Sequence, residues 1–241
     1  MGNKSLTPVI LSPLPGTVPE LLDIVLFSGA SMLSKFIRGL EKFSTGNGDW
    51  SHVGIIIDST ILPLPQLIPG KKYIWESLMS SGSVPDVICG KGRSGVQIRD
   101  FDEVVKHEVT GTVIAFCRLK KNPLLRRKIG HHDETELIFN NRVLLIKNKI
   151  KKIYEKFGNA IYPRDLVKLY SALFENKAKI CCSSCICVRR PKNYFCSEFV
   201  ALVCENIGVR MNENISAVIP VDFTMTKTDI VHPPILYMIV V

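Results

Sequence analysis

The sequence predicts an α+β domain, and three observations carry that prediction. Short β-branched apolar runs bounded by turn residues recur through the first half of the chain, the middle carries apolar residues at helical spacing, and one more amphipathic helix follows near residue 200. The 241 residues hold 46% hydrophobic and 22% charged side chains with 16 Gly and 14 Pro, a balance that excludes collagen, coiled coils and low-complexity chains. A chain of this length buries enough surface to fold without disulfide staples. With no internal repeat and no dividing linker, the simplest organisation is one domain over residues 1–241, with a helical, basic, Cys-rich insertion at about 120–190.

Residues 1 to about 18, rich in Pro and small side chains, read as an extended lead-in on the surface. Asp23-Ile24-Val25-Leu26-Phe27 then forms a strand closed by Ser28-Gly29. Met32, Leu33, Phe36, Ile37, Leu40 and Phe43 recur at helical spacing, which predicts a helix over about 30–43 that ends in the turn Thr45-Gly46-Asn47-Gly48. His52–Ile57 is the most β-like stretch, and the Pro-rich loop from Pro63 to Gly70 leads to a partner strand over Tyr73–Leu78. Further strands are expected at Val96–Arg99 and Thr112–Phe116, with a short helix from near Asp100 between them. Helices follow over about 134–157 and 163–174, Pro163 suiting the first turn of the second. Phe199, Val200, Leu202, Val203 and Ile207 define a last helix, stopped by Gly208, and Ile235–Val241 reads as a closing strand.

Lys plus Arg at 31 against Asp plus Glu at 22 leaves a net charge of +9, which favours anionic partners. The basic residues gather at Arg118–Lys121 running on to Arg126-Arg127-Lys128, and at Lys147–Lys152. The plain reading of both is a solvated helix face and a basic loop. Nucleic acid is disfavoured as a partner, because the aromatics available for base stacking near these clusters are only Phe139, Tyr154 and Phe157. No charged-then-apolar-then-small pattern opens the chain, and no apolar run approaches the roughly 20 residues that span a bilayer. A reducing, cytoplasmic compartment is expected. Met1-Gly2-Asn3-Lys4-Ser5 is a partial match to a myristoylation start, with Leu6 where Ser or Thr is usual.

Eight cysteines in such a compartment imply thiols. Cys181, Cys182, Cys185 and Cys187 form one knot without the second ligand pair that zinc sites show, so neither a metal nor another cofactor is expected. The sequon Asn214-Ile215-Ser216 is set aside, because nothing in the chain routes it to secretion.

The chemistry is expected at Cys196, which enters the last helix from the loop Arg189–Phe195. Unpaired N–H groups and the helix dipole there favour a thiolate, and the same N–H groups can hold an oxyanion. A cysteine nucleophile needs a base, and His52 opens the most β-like strand, whereas His107, His131, His132 and His232 lie in charged or Pro-flanked contexts. A third group must orient the imidazole. Asp58 shares the parity of His52 but sits about 20 Å along the strand, so it cannot do so. Glu76 lies between Trp75 and Ser77 in the next strand, where a carboxylate needs a partner, and His52 across the sheet would supply one. Each residue also has an ordinary reading: a packed cysteine, a hydrogen-bonded core histidine, a satisfied carboxylate.

The ordered stretches Asp23–Gly29, Trp50-Ser51-His52-Val53-Gly54-Ile55, Trp75-Glu76-Ser77 and Tyr194-Phe195-Cys196-Ser197-Glu198-Phe199-Val200 resemble the circularly permuted NlpC-like branch of papain-fold cysteine hydrolases. That branch includes YiiX/YebB-type proteins, the lecithin:retinol acyltransferase group and members in poxviruses and other large DNA viruses. The resemblance spans about 20–116 and about 190–225, including Pro220-Val221-Asp222-Phe223, and leaves out the insertion. It implies a permuted papain-like fold, with an antiparallel sheet packed on the Cys helix. It makes Cys196 the nucleophile, His52 general base and acid, and Glu76 the orienting residue. It further implies a hydrolase or acyltransferase that works on an amide or ester bond through a thioester, with an acylated lipid or a peptide as substrate. The likeness to viral members adds a host cytoplasm or a virion to the expected locations. Contact with an anionic membrane suits the charge and the apolar C-terminal end. The alternative from another class is a papain-fold binding protein whose triad is idle and which engages membrane or a protein partner.

Overall fold

The computed structural model describes residues 18–29, 49–79, 83–107, 112–126, 128–129, 132–162, 194–209, 218, 220–224, 231 and 235–239. The lead-in, the helices expected over about 30–43 and 163–174, the four-cysteine knot and the sequon lie outside the described residues.

Within them the chain is a mixed α+β fold. In chain order come β1 (Ile24–Ser28), β2 (His52–Ile57), β3 (Tyr73–Leu78), β4 (Gly95–Asp100), helix α1 (Phe101–His107) and β5 (Val113–Cys117). A small ladder of β6 (Lys128–Ile129) and β7 (His132–Asp133) precedes helix α2 (Glu136–Phe157). Helix α3 (Cys196–Ile207), a 3-10 turn (Pro220–Phe223) and β8 (Ile235–Ile239) complete the set. Six strands form one sheet in the order β4-β3-β2-β1-β5-β8, and every neighbouring pair is antiparallel.

Strand alternation divides the apolar side chains between two cores. Leu26, Val53, Ile55, Tyr73 and Trp75 share one core with Ile146, Ile150 and Ile153 of α2 and with the buried residues of α3. Val25, Phe27, Ile56, Ile74 and Phe116 form the other with Phe101 and Val104 of α1. Both faces of the central strands are therefore covered, which is why β1 and β2 read as nearly continuous apolar runs. The β6–β7 ladder was not expected; two-residue strands carry no periodicity to detect.

Candidate active site

His52 is the first residue of β2, and the chain is pinned just before it. The backbone N–H of Ser51 donates to the Phe27 carbonyl at 2.8 Å, its hydroxyl donates to the same oxygen at 3.1 Å, and that hydroxyl accepts from the Gly29 N–H at 3.0 Å. The Phe27 and His52 rings lie 5.5 Å apart between centroids. Gly54 stands opposite Glu76 in the β2–β3 ladder, so His52 and Glu76 are diagonal neighbours on one face. Gly54 keeps that diagonal open, since a Cβ there would fall 2.5 Å from Ile74 Cγ1 and 3.2 Å from Glu76 Cβ.

Across the gap His52 Nε2 meets Glu76 Oε2 at 2.5 Å. The other carboxylate oxygen, Oε1, accepts from Arg99 Nε at 2.6 Å. Arg99 reaches it by the same diagonal one strand further out, because Gln97 of β4 stands opposite Glu76. Glu76 is fully buried, Arg99 is buried, and His52 keeps 16% of its side chain exposed. Burial opposes ionisation of Glu76, but the Arg99 guanidinium and the His52 ring outweigh it and hold its pKa below the usual carboxylate range. Burial likewise opposes charge on His52. The Cys196 sulfur and the Glu76 carboxylate together win, and the His52 pKa is pushed up to about 10.

Cys196 is the first residue of α3, three residues before the first apolar position that marks the helix in the sequence. The start of the helix is fixed from three sides. The Glu198 carboxylate accepts from the Phe195 N–H at 2.9 Å, the Ser77 hydroxyl donates to the Tyr194 carbonyl at 2.6 Å, and Phe199 packs edge-on against Trp75 at 4.9 Å. His52 and Cys196 each begin their element, so they meet at the end of the sheet, where the Cys196 sulfur favours charge on the His52 ring. With Nε2 committed to Glu76, Nδ1 is the ring nitrogen left for the sulfur.

Two residues at the site carried no functional signal in the sequence. Arg99 is one. The other is Tyr162, buried with its ring 5.5 Å from that of Phe195. Gly95, at φ +120°, has no side chain to block the 160–162 segment, which runs beside β4 and the entry to α3 through bonds from Val96 N–H to the Ala160 carbonyl and Tyr194 N–H to the Ile161 carbonyl. Burial, with Cys196 and Glu198 nearby, pushes the Tyr162 pKa up, so its hydroxyl stays protonated as a hydrogen-bond donor. Asp58 instead closes a turn, its Oδ1 accepting from the Thr60 and Ile61 N–H groups, away from His52.

Burial pushes both Cys117 and Cys204 up to about 12, and Cys89 is exposed. Among the described residues no three His, Cys, Asp or Glu side chains gather as a metal site. No described helix is long and apolar enough to cross a membrane. No protein-family model matches the chain, and a search of curated proteins finds no match.

A buried thiol beside a ring that a buried carboxylate orients is an arrangement able to transfer protons during attack on a carbonyl. Its pH dependence has a definite sign. A His52 raised from 6.5 to about 10 contributes stability that is fully present below pH 6.5 and lost as pH rises through 10. A Glu76 lowered from 4.5 contributes stability present above pH 4.5 and lost as pH falls below it. The pair therefore stabilises the fold most between pH 4.5 and 6.5. Urea unfolding across pH, wild type against His52→Gln, should show an advantage for the wild type that shrinks from pH 7 to pH 10. An advantage that grows over that range would contradict the charge assignment.

Proposed function

We propose that the protein is a cysteine-dependent hydrolase or acyltransferase with Cys196 as nucleophile, His52 as general base and acid, and Glu76 as the residue that orients the ring. The observation that carries this reading is the buried chain Arg99–Glu76–His52, which ends on the thiol at the start of α3. A structural histidine would not require its own buried carboxylate, itself held by a buried guanidinium, since each buried charge must be offset. The order of the elements, His strand before Cys helix on an antiparallel sheet, agrees with the permuted papain-like fold that the motifs resemble.

At neutral pH the raised His52 ring already carries the proton of the Cys196–His52 pair, so Sγ attacks an amide or ester carbonyl beside a charged ring, and a tetrahedral oxyanion forms. The backbone N–H of Cys196, at the start of α3, would stabilise that oxyanion. The Tyr162 hydroxyl is a candidate second donor. The ring then gives its proton to the leaving nitrogen or oxygen, the carbon–heteroatom bond breaks, and a thioester remains. Water or an amine, deprotonated by His52, attacks the thioester, and the thiol is restored. An acylated lipid or a peptide fits this chemistry, and the net charge of +9 slightly favours the lipid.

Iodoacetamide labelling mapped by mass spectrometry, in wild type, His52→Ala and Glu76→Gln, tests the proposal. At pH 7 the wild type is expected to alkylate at Cys196 well before Cys117 or Cys204, and His52→Ala to remove that preference. Equal labelling of Cys196 in all three proteins would leave a binding scaffold with an idle triad.

A further inference from the structure

We propose that the outward face of α2 docks on an anionic lipid bilayer. The face opposite the buried Ile146, Ile150 and Ile153 is divided along its length between exposed aliphatic and exposed basic side chains. In its first half stand Leu137, Ile138, Leu144 and Leu145, exposed to 71%, 49%, 58% and 54%. At 100° per residue the four fall on one arc, together with the exposed Asn141 and Asn148. In its second half the same arc carries Lys151, Lys152 and Lys156, all exposed. Glu155 is the acid among them, and it lies 3.9 Å from Lys151. Over its length α2 has six basic and two acidic side chains, a net of +4 in a chain of net +9.

Four adjacent exposed aliphatic side chains are costly in water, and single scattered ones are not. The charge beside them selects the occupant. A second copy of the chain on this face would set lysines against lysines if parallel, or lysines against leucines if antiparallel. A nucleic-acid strand would meet Leu and Ile where it needs aromatic faces or arginine forks. A bilayer with anionic headgroups satisfies both halves of the arc: the aliphatic side chains enter the acyl boundary, and the lysines reach the phosphates. This surface belongs to the basic insertion and stands apart from the residues of the cysteine site, so its failure and that of the acyl-transfer reading are separable.

The test is co-sedimentation of the full chain, with Gly2 unacylated, on vesicles of phosphatidylcholine alone and of phosphatidylcholine with phosphatidylserine. The wild type should partition at least about tenfold better onto the anionic vesicles, and the preference should fall as salt is raised. Leu144→Glu/Leu145→Glu and Lys151→Glu/Lys152→Glu should each lose at least about tenfold. Unchanged urea-unfolding midpoints serve as the control that both variants keep their fold. Binding unchanged in either variant overturns the proposal. So does a salt-sensitive dimer that Leu144→Glu/Leu145→Glu dissolves without any vesicle binding, since the face then pairs with a second copy. Binding to short RNA but not to vesicles overturns it too.

Discussion

Arg99→Met should cost about 3–5 kcal/mol of stability and dull the chemistry of Cys196, although Arg99 does not touch the thiol. The stability loss follows from Glu76, which is fully buried and divides its two oxygens between Arg99 and His52. Removal of the guanidinium leaves a buried carboxylate with the ring as its remaining charged partner, and burial then favours the neutral acid. Once Glu76 takes up a proton it no longer stabilises the charged ring, and the His52 pKa falls from its raised position near 10. Two readouts separate this chain of effects from mere loosening. Urea unfolding gives the stability loss, and an NMR titration of the ring gives its midpoint. In Arg99→Met that midpoint should move down, while Arg99→Lys, which keeps the charge but not the planar fork, should lie between the two. A stability loss under about 1 kcal/mol with an unmoved midpoint would show that Glu76 does not depend on Arg99.

The contrast between Glu76 and Arg99 explains what the sequence could reveal. Glu76 stands in the middle of an apolar strand, where a carboxylate without a partner is too costly to persist, so its position alone demands a nearby cation. Arg99 is the penultimate residue of an edge strand beside Asp100, where a basic side chain ordinarily faces water. Only the register, with Gln97 opposite Glu76, turns it inward on the diagonal. β2 and β3 were legible to the residue because β-branched and aromatic runs end abruptly at turn residues. The start of α3 was legible at Cys196, where the loop through Phe195 enters the helix, and Glu198 three residues after Phe195 is half of the capping-box signature. Tyr162 could not be found by any local rule, since its place beside Phe195 depends on the Gly95 backbone and on hydrogen bonds between distant segments. The pairing of β8 with β5 is likewise a long-range outcome that the apolar C-terminal run does not specify.

Phe199→Ala is the second large effect, and it tests whether the fold itself aims the nucleophile. Phe199 is fully buried one turn into α3, with its ring edge-on to Trp75 of β3 at 4.9 Å. Truncation removes a large buried side chain and leaves a cavity between helix and sheet, at a cost of about 3–5 kcal/mol. The aromatic pairing supplies about 0.5–1.5 kcal/mol beyond the buried area. Phe199→Leu keeps most of the volume and should cost no more than about 1.5 kcal/mol. Phe199 also follows Cys196 by three residues, so the contact that seats the helix fixes the height of the thiol against the end of β2. A cavity there lets the first turn of α3 shift, and a displacement of about 1 Å is enough to spoil a proton transfer. The expected pattern is therefore coupled: Phe199→Ala loses both stability and the labelling preference of Cys196, and Phe199→Leu recovers both. If Phe199→Ala unfolds in less urea yet labels at Cys196 as fast as wild type, the Ser77 and Glu198 bonds alone hold the thiol in place, and the packing of α3 on Trp75 serves stability only.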